Sequence, residues 1–206
     1  MNTLLSLLIG AAVVMAAPVA QAASLSLVPS SNSLQVGESL SLDLVIDGLG
    51  DHTAPSLGAF DVDVSYDPAL LNLSSVSFGL ALGDINLGEA LAGDDTPTPG
   101  TTNIWELSLL ENDLATCLSC IPPYLSDLQG TSFTLATLVF SAAAPGTAVF
   151  GLAPNAMADG FGDNLDTTVE ALPTVQVTAV PVPAAIWLFG SALCGVGAIR
   201  RRTLAG

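Results

Sequence analysis

The sequence contains no lysine and only three arginines, which are adjacent at positions 200 to 202. Its 19 aspartate and glutamate residues all lie between Glu38 and Glu170, and the formal net charge is -16. A protein surface whose charges all have the negative sign repels phosphate backbones and anionic lipid head groups. We therefore expect no nucleic-acid binding by the acidic part of the chain.

Histidine is also scarce, which limits the chemistry that the chain can carry. His52 is the only histidine, and no serine or cysteine stands at a recognised nucleophile spacing from it. Two carboxylates suffice for glycoside hydrolysis, and pairs such as Asp61 with Asp63, or Asp94-Asp95 in a predicted loop, are present. Acids at alternate positions are, however, expected on the solvent face of a strand in a chain without lysine. The sequence therefore predicts a protein that is not an enzyme.

Aromatic residues make up 5% of the chain, which bears on sugar binding. Before position 180 the only tryptophan is Trp105, and its parity with Leu107 and Leu109 predicts that it faces the core. Tyr124, which follows Pro122 and Pro123, is then the one ring expected to be exposed. We expect no flat aromatic surface of the kind that binds sugar chains.

The C-terminal 27 residues consist of an uncharged stretch, the arginine cluster and four further residues. Residues 180–199 carry no charge, and 20 residues at about 1.5 Å each span roughly 30 Å, the thickness of a hydrocarbon core. We expect a transmembrane helix over residues 184–199, with Arg200, Arg201 and Arg202 in the cytoplasm and the preceding domain outside. Two prolines before the helix predict an extended, protease-accessible segment.

This order of features resembles the C-terminal sorting signal of bacterial PEP-CTERM proteins. The proline motif is Val180-Pro181-Val182-Pro183, and the apolar segment contains Trp-Leu-Phe-Gly-Ser at positions 187–191. Val182 replaces the glutamate that gives the signal its name. The resemblance implies that a membrane-embedded exosortase cuts at the proline motif and then releases or re-attaches the domain. An uncut single-span anchor is the alternative.

The N-terminus also predicts export. An apolar run over residues 4–17 precedes Ala20-Gln21-Ala22, a small-x-small site that allows cleavage after Ala22. Because no lysine or arginine precedes the run, an uncleaved helix is the alternative. The chain thus divides into a signal peptide (1–22), one domain (23–179) and a sorting segment (180–206). We expect a transient inner-membrane anchor, followed by delivery to the cell surface or extracellular matrix.

Apolar residues in the domain recur at every second position, which predicts strands. Leu40, Leu42, Leu44 and Ile46 alternate with mostly polar residues, and Phe60 to Tyr66 repeats the pattern. Further strands are expected over Leu71 to Phe78, Ile104 to Leu110, Phe133 to Phe140, Thr147 to Leu152 and Val169 to Thr178. Many short strands without crossover helices predict an all-β antiparallel sandwich.

Two segments of the domain resemble cohesin-type domains and related carbohydrate-binding sandwiches. They are Val36-Gly37-Glu38-Ser39, which enters the first long strand, and the run from Gly58 to Pro68 with its Tyr-Asp-Pro end. The resemblance implies a nine-stranded jelly-roll with an insertion-rich middle over residues 81–127. It also implies a non-catalytic module for adhesion or scaffolding that binds an extracellular protein such as a dockerin. A carbohydrate-binding module for exopolysaccharide is the alternative.

Two polar clusters remain open to more than one interpretation. Asp159, Asp163 and Asp166, with Asn164 among them, offer the hard oxygen ligands that calcium prefers, which would suit a calcium-dependent adhesin. The same residue types also occur in turns for backbone reasons alone. Cys117 and Cys120 are too few for a structural zinc site, and in an oxidising compartment we expect them to form a local disulfide.

Overall fold

The structure is a computed structural model that describes residues 22–117 and 119–180. Residues 1–21 of the predicted signal peptide and the predicted sorting segment from residue 181 onward lie outside the described residues. Within the described part, no helix has both the length and the apolar character needed to cross a membrane. The described residues form one α-helix, α1 (Leu125–Leu128), one short 3-10 helix (Ile85–Leu87), and twelve strands: β1 (Ala23–Pro29), β2 (Ser33–Gln35), β3 (Ser39–Asp47), β4 (Leu57–Ser65), β5 (Leu71–Phe78), β6 (Ala90–Thr98), β7 (Thr101–Ser108), β8 (Ser132–Ala142), β9 (Gly146–Val149), β10 (Gly151–Asp159), β11 (Thr167–Val169) and β12 (Thr174–Thr178).

The strands form three sheets around one apolar core. A five-stranded sheet has the order β11-β1-β3-β8-β5, a four-stranded sheet has the order β10-β4-β7-β6, and a small sheet has the order β2-β12-β9. Neighbouring strands are antiparallel except for β1 with β11 and β2 with β12, which are parallel. The predicted all-β sandwich is therefore confirmed, and short strands at the sheet margins bring the number of strands above nine.

The two long strands predicted most clearly from the sequence supply the centre of the core. Leu40, Leu42, Leu44 and Ile46 of β3 are completely buried, as their alternation with polar residues predicts. Complete burial of a leucine or isoleucine side chain contributes about 1.5–3 kcal/mol. Phe140 of β8 packs edge-on against the Tyr66 ring, with centroids 4.9 Å apart, and this contact joins the two large sheets.

Two predicted strands are each divided in the structure because the chain changes sheet partway along them. The segment from Thr147 to Leu152 belongs to β9 up to Val149 and to β10 from Gly151 onward, with buried Phe150 between them. The segment from Val169 to Thr178 is likewise interrupted before Thr174, where Pro173 cannot donate a backbone hydrogen bond. An apolar residue at every second position predicts a strand, but it does not reveal that the strand changes from one sheet to another.

Strand β6 is absent from the sequence prediction. It contains Asp94 and Asp95, which were predicted to lie in a loop, and it also contains Pro97. Acids and proline are unusual in a central strand, but they are common on edge strands, where they discourage pairing with another chain. The edge position of β6 in the four-stranded sheet therefore explains why its residues read as a loop.

The described chain enters and leaves at opposite ends of the sandwich. Strand β1 begins at Ala23, directly after the predicted cleavage site, and the Ala23 backbone nitrogen donates to the Asp166 carbonyl at 3.1 Å. Ser24 pairs with Asp47 at this end of the five-stranded sheet. Strand β12 ends at Thr178, which pairs with Gln35 at the other end. The proline motif therefore begins two residues after the last strand.

Gln129 supports the start of β4 by acting as a substitute for a neighbouring strand. Its side-chain Nε2 donates to the Leu57 carbonyl and its Oε1 accepts from the Leu57 backbone nitrogen, both at 2.7 Å. Both residues are buried, so water cannot replace these bonds. We predict that Gln129→Ala lowers the free energy of unfolding by about 2–4 kcal/mol, measured by urea denaturation, because each buried polar group left unpaired costs about 1–3 kcal/mol.

Gln176→Ala is the matched control for this experiment. Gln176 also makes a side-chain hydrogen bond, to the Thr147 hydroxyl at 3.0 Å, but on the protein surface. Its replacement should change the free energy of unfolding by no more than about 0.5 kcal/mol. Equal effects of the two substitutions would contradict the role of Gln129.

Candidate binding face

The outer face of the four-stranded sheet carries a cluster of exposed apolar side chains. Leu91 of β6 pairs directly with Leu107 of β7, and their side chains are 50% and 43% exposed. Trp105 and Leu109 are 38% and 54% exposed. We call Leu91, Trp105, Leu107 and Leu109 the apolar patch. Single exposed apolar residues are ordinary on protein surfaces, whereas a group of neighbouring ones is a candidate contact surface.

The Trp105 indole lies on the backbone of Gly93, its partner across the strand pair. A Cβ atom added to Gly93 would be 2.9 Å from each of three indole atoms, Cε2, Cζ2 and Nε1. No other residue type would leave this space open. Covering a strand glycine with an aromatic ring from the neighbouring strand fixes the ring position and protects the exposed backbone.

The side chain of Trp105 is therefore on the opposite face from the one predicted. In β7 the inward positions are Thr102, Ile104 and Glu106, and the whole parity of the strand is reversed relative to the prediction. The error arose because both parities carry apolar residues and the buried parity contains a glutamate, which is costly to bury. Tyr124, which the sequence predicts to be exposed, is instead buried. Its side chain is 8% exposed, and its hydroxyl donates to the Cys120 carbonyl at 3.0 Å.

The same face continues into a region of hydrogen-bonded carboxylates. Asp61 and Asp63 alternate along β4, and the Asn103 Nδ2 atom of β7 donates to an oxygen of each, at 2.6 and 2.8 Å. Asn155 of β10 donates to the same Asp61 oxygen at 3.1 Å. These amide donors bring the two carboxyl groups into one hydrogen-bonded cluster. We call Asp61 and Asp63 the acidic strip.

A shallow groove of about 280 Å³ runs between the apolar patch and β10. Ala59 and Asp61 lie in its centre, Trp105 and Leu107 form one wall, and Ala156 and Ala158 form the other. The small alanine side chains make room for side chains of a bound molecule. The face thus combines an apolar region, a groove and a negative region.

The outer face of the five-stranded sheet has a different character. Its outward positions include Ser26, Ser41 and Thr137, and the Thr137 hydroxyl donates to the Asp43 carboxylate at 2.6 Å. Most outward positions of β1 and β3 thus carry small polar residues or aspartate, with Val28 and Val45 as apolar exceptions. The two faces of the sandwich therefore differ, and only the four-stranded sheet presents a tryptophan among the described residues.

Glu106 lies beneath the apolar patch, on the inner side of β7. It is 1% exposed, and neither of its carboxylate oxygens has a hydrogen-bond partner among the described residues. Burial raises the pKa of Glu106 from 4.5 to about 8, because the charged form cannot be solvated there. The side chain is therefore mostly neutral at pH 7.

Cys117, Cys120 and His52 lie in loops, outside the strands that form the face described above. Cys117 and Cys120 form a disulfide with their Cα atoms 5.4 Å apart. A carboxylate oxygen of Glu111 lies within 4.8 Å of both sulfur atoms, but disulfide sulfurs are not free to bind a metal. His52 occupies an exposed loop with its Nε2 atom 3.8 Å from Asp51.

Two of the three predicted calcium ligands, Asp159 and Asp166, accept hydrogen bonds through their carboxylates within their own turn. Asp159 Oδ1 accepts from the backbone nitrogens of Phe161 and Asp163, both at 2.9 Å, and Asp166 Oδ1 accepts from Asn164 at 3.1 Å. Such bonds are the backbone reason for acids in turns. Calcium binding stays a prediction. Of the sorting and cleavage residues, Ala22 and Val180 are the first and last described, and Ala20, Pro181 to Pro183 and the arginines lie outside.

The overall fold matches that of solved cohesin structures. The chain superposes on a type II cohesin domain from the cellulosome of Acetivibrio cellulolyticus with a TM-score of 0.57, at 15% identity, covering 75% of this chain and 95% of that one. The chain has a cohesin-like fold. A cohesin module from a Clostridium perfringens family 33 glycoside hydrolase gives a TM-score of 0.56 at 14% identity, with 77% and 98% covered.

A third cohesin structure contains a bound partner. The sixth cohesin of Acetivibrio cellulolyticus scaffoldin B, solved in complex with a Cel5 dockerin mutant, gives a TM-score of 0.55 at 16% identity and covers 75% of this chain and 99% of that one. No protein-family model matches the sequence, and no curated protein does so either. The cohesin-like fold is thus established by structure at a level of identity where the sequences have diverged widely.

We predict that Gly93→Val displaces the Trp105 indole from the sheet. The added side chain would occupy the space of the ring, and the surface indole can rotate away, so the cost in stability should stay below about 1 kcal/mol. Fluorescence of a chain carrying Trp187→Phe, in which Trp105 is the only tryptophan, should shift to longer wavelength. Thr98→Val, at an exposed position of the same strand, is the control and should leave the emission unchanged. An unchanged spectrum for Gly93→Val would contradict the placement of the indole.

Proposed function

We propose that this protein is an exported, non-catalytic module that docks another protein on the outer face of its four-stranded sheet, in an adhesive or scaffolding role. The observation that carries the proposal is the apolar patch beside the acidic strip. An exposed tryptophan surrounded by leucines is typical of the centre of a protein interface, where aromatic side chains contribute most of the affinity. Leu91, Trp105 and Leu107 offer such a centre.

The charge of the domain indicates the chemistry of its partner. Residues 23–179 carry 19 carboxylates and neither lysine nor arginine, so two copies of the domain repel each other. A partner with basic residues at the rim of its interface would instead be attracted to the acidic strip, and charges at a rim mainly increase the association rate and specificity. We therefore favour a different protein as the partner over a second copy of this chain.

The structural likeness supports a protein partner. One of the cohesin modules of this fold was solved in complex with a dockerin. Folds host many functions, so the likeness raises the expectation of protein binding without naming the partner. No dockerin-like repeat is visible in this sequence, and the partner would be a separate molecule.

Binding of exopolysaccharide is the second candidate, and the position of Trp105 favours it. The indole covers Gly93 and is 38% exposed, so the exposed part of the ring is available for stacking against a sugar. Asp61 and Asp63 are the nearby carboxylates that could accept hydrogen bonds from sugar hydroxyls, but both already accept hydrogen bonds from Asn103. The aliphatic residues around the indole fit a protein surface better, so we rank this function second.

We further propose that the chain is sorted by cleavage at the proline motif. Strand β12 ends at Thr178, so a cut between residues 180 and 183 leaves every described strand intact. Likewise, removal of residues 1–22 leaves β1 intact. Both predicted processing sites therefore coincide with the limits of the folded domain, which is where exposed, extended chain is accessible to a protease. The processing enzyme would be exosortase-like, and the product would reach the cell surface or matrix.

We predict that Trp105→Ala and Leu107→Ala each weaken partner binding by about 10- to 1000-fold. The partner would be isolated by cross-linking on the native envelope, identified by mass spectrometry, and titrated against each variant. Ser41→Ala and Thr137→Ser, on the outer face of the five-stranded sheet, are the controls and should bind within about threefold of the parent chain. Unchanged affinity of both patch variants would overturn the proposed face.

The same variants distinguish the second candidate. Retention of the parent chain on host exopolysaccharide, lost in Trp105→Ala but not in Ser41→Ala, would support the carbohydrate-binding function. Failure of the parent chain to bind the polysaccharide would remove that candidate.

We predict that the form recovered from the medium or outer envelope of the native host begins at Ala23 and ends within residues 180–183. Intact-mass measurement checks both ends at once. Deletion of the candidate processing enzyme should yield a chain that retains Arg200 to Arg202. Recovery of those arginines with the enzyme present would mean a permanent anchor.

A further inference from the structure

The strand that carries the apolar patch also carries a buried carboxyl group without a partner. Glu106 lies between Trp105 and Leu107 in β7, and its side chain points to the opposite side of the sheet from theirs. Both of its oxygens lack hydrogen-bond partners among the described residues. Buried polar groups in proteins are nearly always paired, so an unpaired carboxyl at this position requires a physical explanation.

The surroundings of Glu106 offer no opposite charge. Its partners across the sheet are Phe60 of β4 and Ala92 of β6. The facing five-stranded sheet presents apolar side chains inward, including Leu138 and Phe140. The carboxylates of the adjoining elements are Asp61 and Asp63 on the outer face of β4, Asp94 and Asp95 exposed at the rim of β6, and Asp84 with Glu89 in the segment before β6, where Glu89 accepts from the Asp84 backbone nitrogen.

Only the neutral form of Glu106 is therefore compatible with the closed sheet. A buried ion without a partner is expensive, so ionisation must admit water or move the strand. The β6 side is the part able to yield, because β6 is an edge strand while β4 is held on both sides. Hydration of Glu106 would thus loosen the β6–β7 hairpin on its β6 side, while β7 stays paired with β4.

We propose that Glu106 is a proton-controlled latch, whose neutral form keeps the β6–β7 hairpin closed on the core and the apolar patch assembled, and whose deprotonation in alkaline solution loosens the hairpin and disperses the patch. The latch itself depends only on the burial and the contacts of Glu106 within the domain. Its effect on partner binding rests in addition on the proposed function.

The direction of the pH effect follows from the raised pKa. In the unfolded chain Glu106 loses its proton near 4.5, whereas in the folded chain it retains it to about 8. Folding therefore takes up a proton between these values, and the stability of the closed form falls as the pH rises through this range. Histidine is the other side-chain type that ordinarily titrates there, so His52 needs a control.

The test uses the full chain with Trp187→Phe, in a neutral detergent, so that Trp105 reports on the hairpin. Between pH 5 and pH 9.5 we expect a reversible shift of its emission to longer wavelength, with a midpoint near 8. The shift should disappear in Glu106→Gln and in Glu106→Leu, neither of which can ionise, and it should persist in His52→Gln. The two replacements differ in polarity, so failure of one to fold leaves the other as the test.

Two results would overturn the latch. One is an emission that stays constant to pH 9.5 in the parent chain, and the other is the same midpoint in the folded Glu106 variants. A separate titration with the isolated partner tests the link to binding, which should weaken at least about tenfold from pH 6 to pH 9 in the parent chain and less than about threefold in Glu106→Gln. A fluorescence shift without weaker binding would leave the latch standing and count against the proposed face.

Discussion

Every carboxylate between residues 23 and 179 must be accommodated without a lysine or arginine, and the polar architecture of the domain follows from this constraint. Most acids remain in water, while others use neutral donors. Asn103 donates hydrogen bonds to Asp61 and Asp63, and Thr137 donates one to Asp43. Backbone nitrogens of the surrounding turn donate to the Asp159 carboxylate. Glu106, which has none of these, is tolerated only in its protonated form. Amide and hydroxyl donors thus replace the ion pairs that most domains use.

The same constraint shapes how the two faces of the sandwich behave. On the five-stranded sheet, most outward positions of β1 and β3 carry serine or aspartate, which interact favourably with water. On the four-stranded sheet, leucines and a tryptophan lie next to two neighbouring aspartates, so the proposed partner would meet an apolar surface and negative charge together. Charge repulsion between copies of the domain opposes self-association through these exposed apolar residues.

The sequence predicts the orientation of strands in which every second residue is apolar and the others are mostly polar. It does not predict the orientation of β7, which contributes Trp105 and Leu107 to the candidate binding face. In β3 and β4 every inward position is apolar, and a period of two fixes both the strand and its orientation. In β7 the sequence Ile104-Trp105-Glu106-Leu107 places large apolar residues on both parities, and the usual cost of a buried carboxylate gives the wrong choice. Only the tertiary environment, which neutralises Glu106 and lets Trp105 rest on Gly93, reverses it.

The position of β12 determines how the domain would respond to mechanical force. This strand lies between β2 and β9, and it is the last element before the C-terminal segment. Because ladder hydrogen bonds run across the strand direction, tension applied along β12 from the C-terminal side loads the bonds to both neighbours together, in shear, instead of opening them one at a time. If the molecule were tethered at its C-terminus and held by a partner on the four-stranded sheet, the pulling force would therefore pass through β12, which is hydrogen-bonded on both sides.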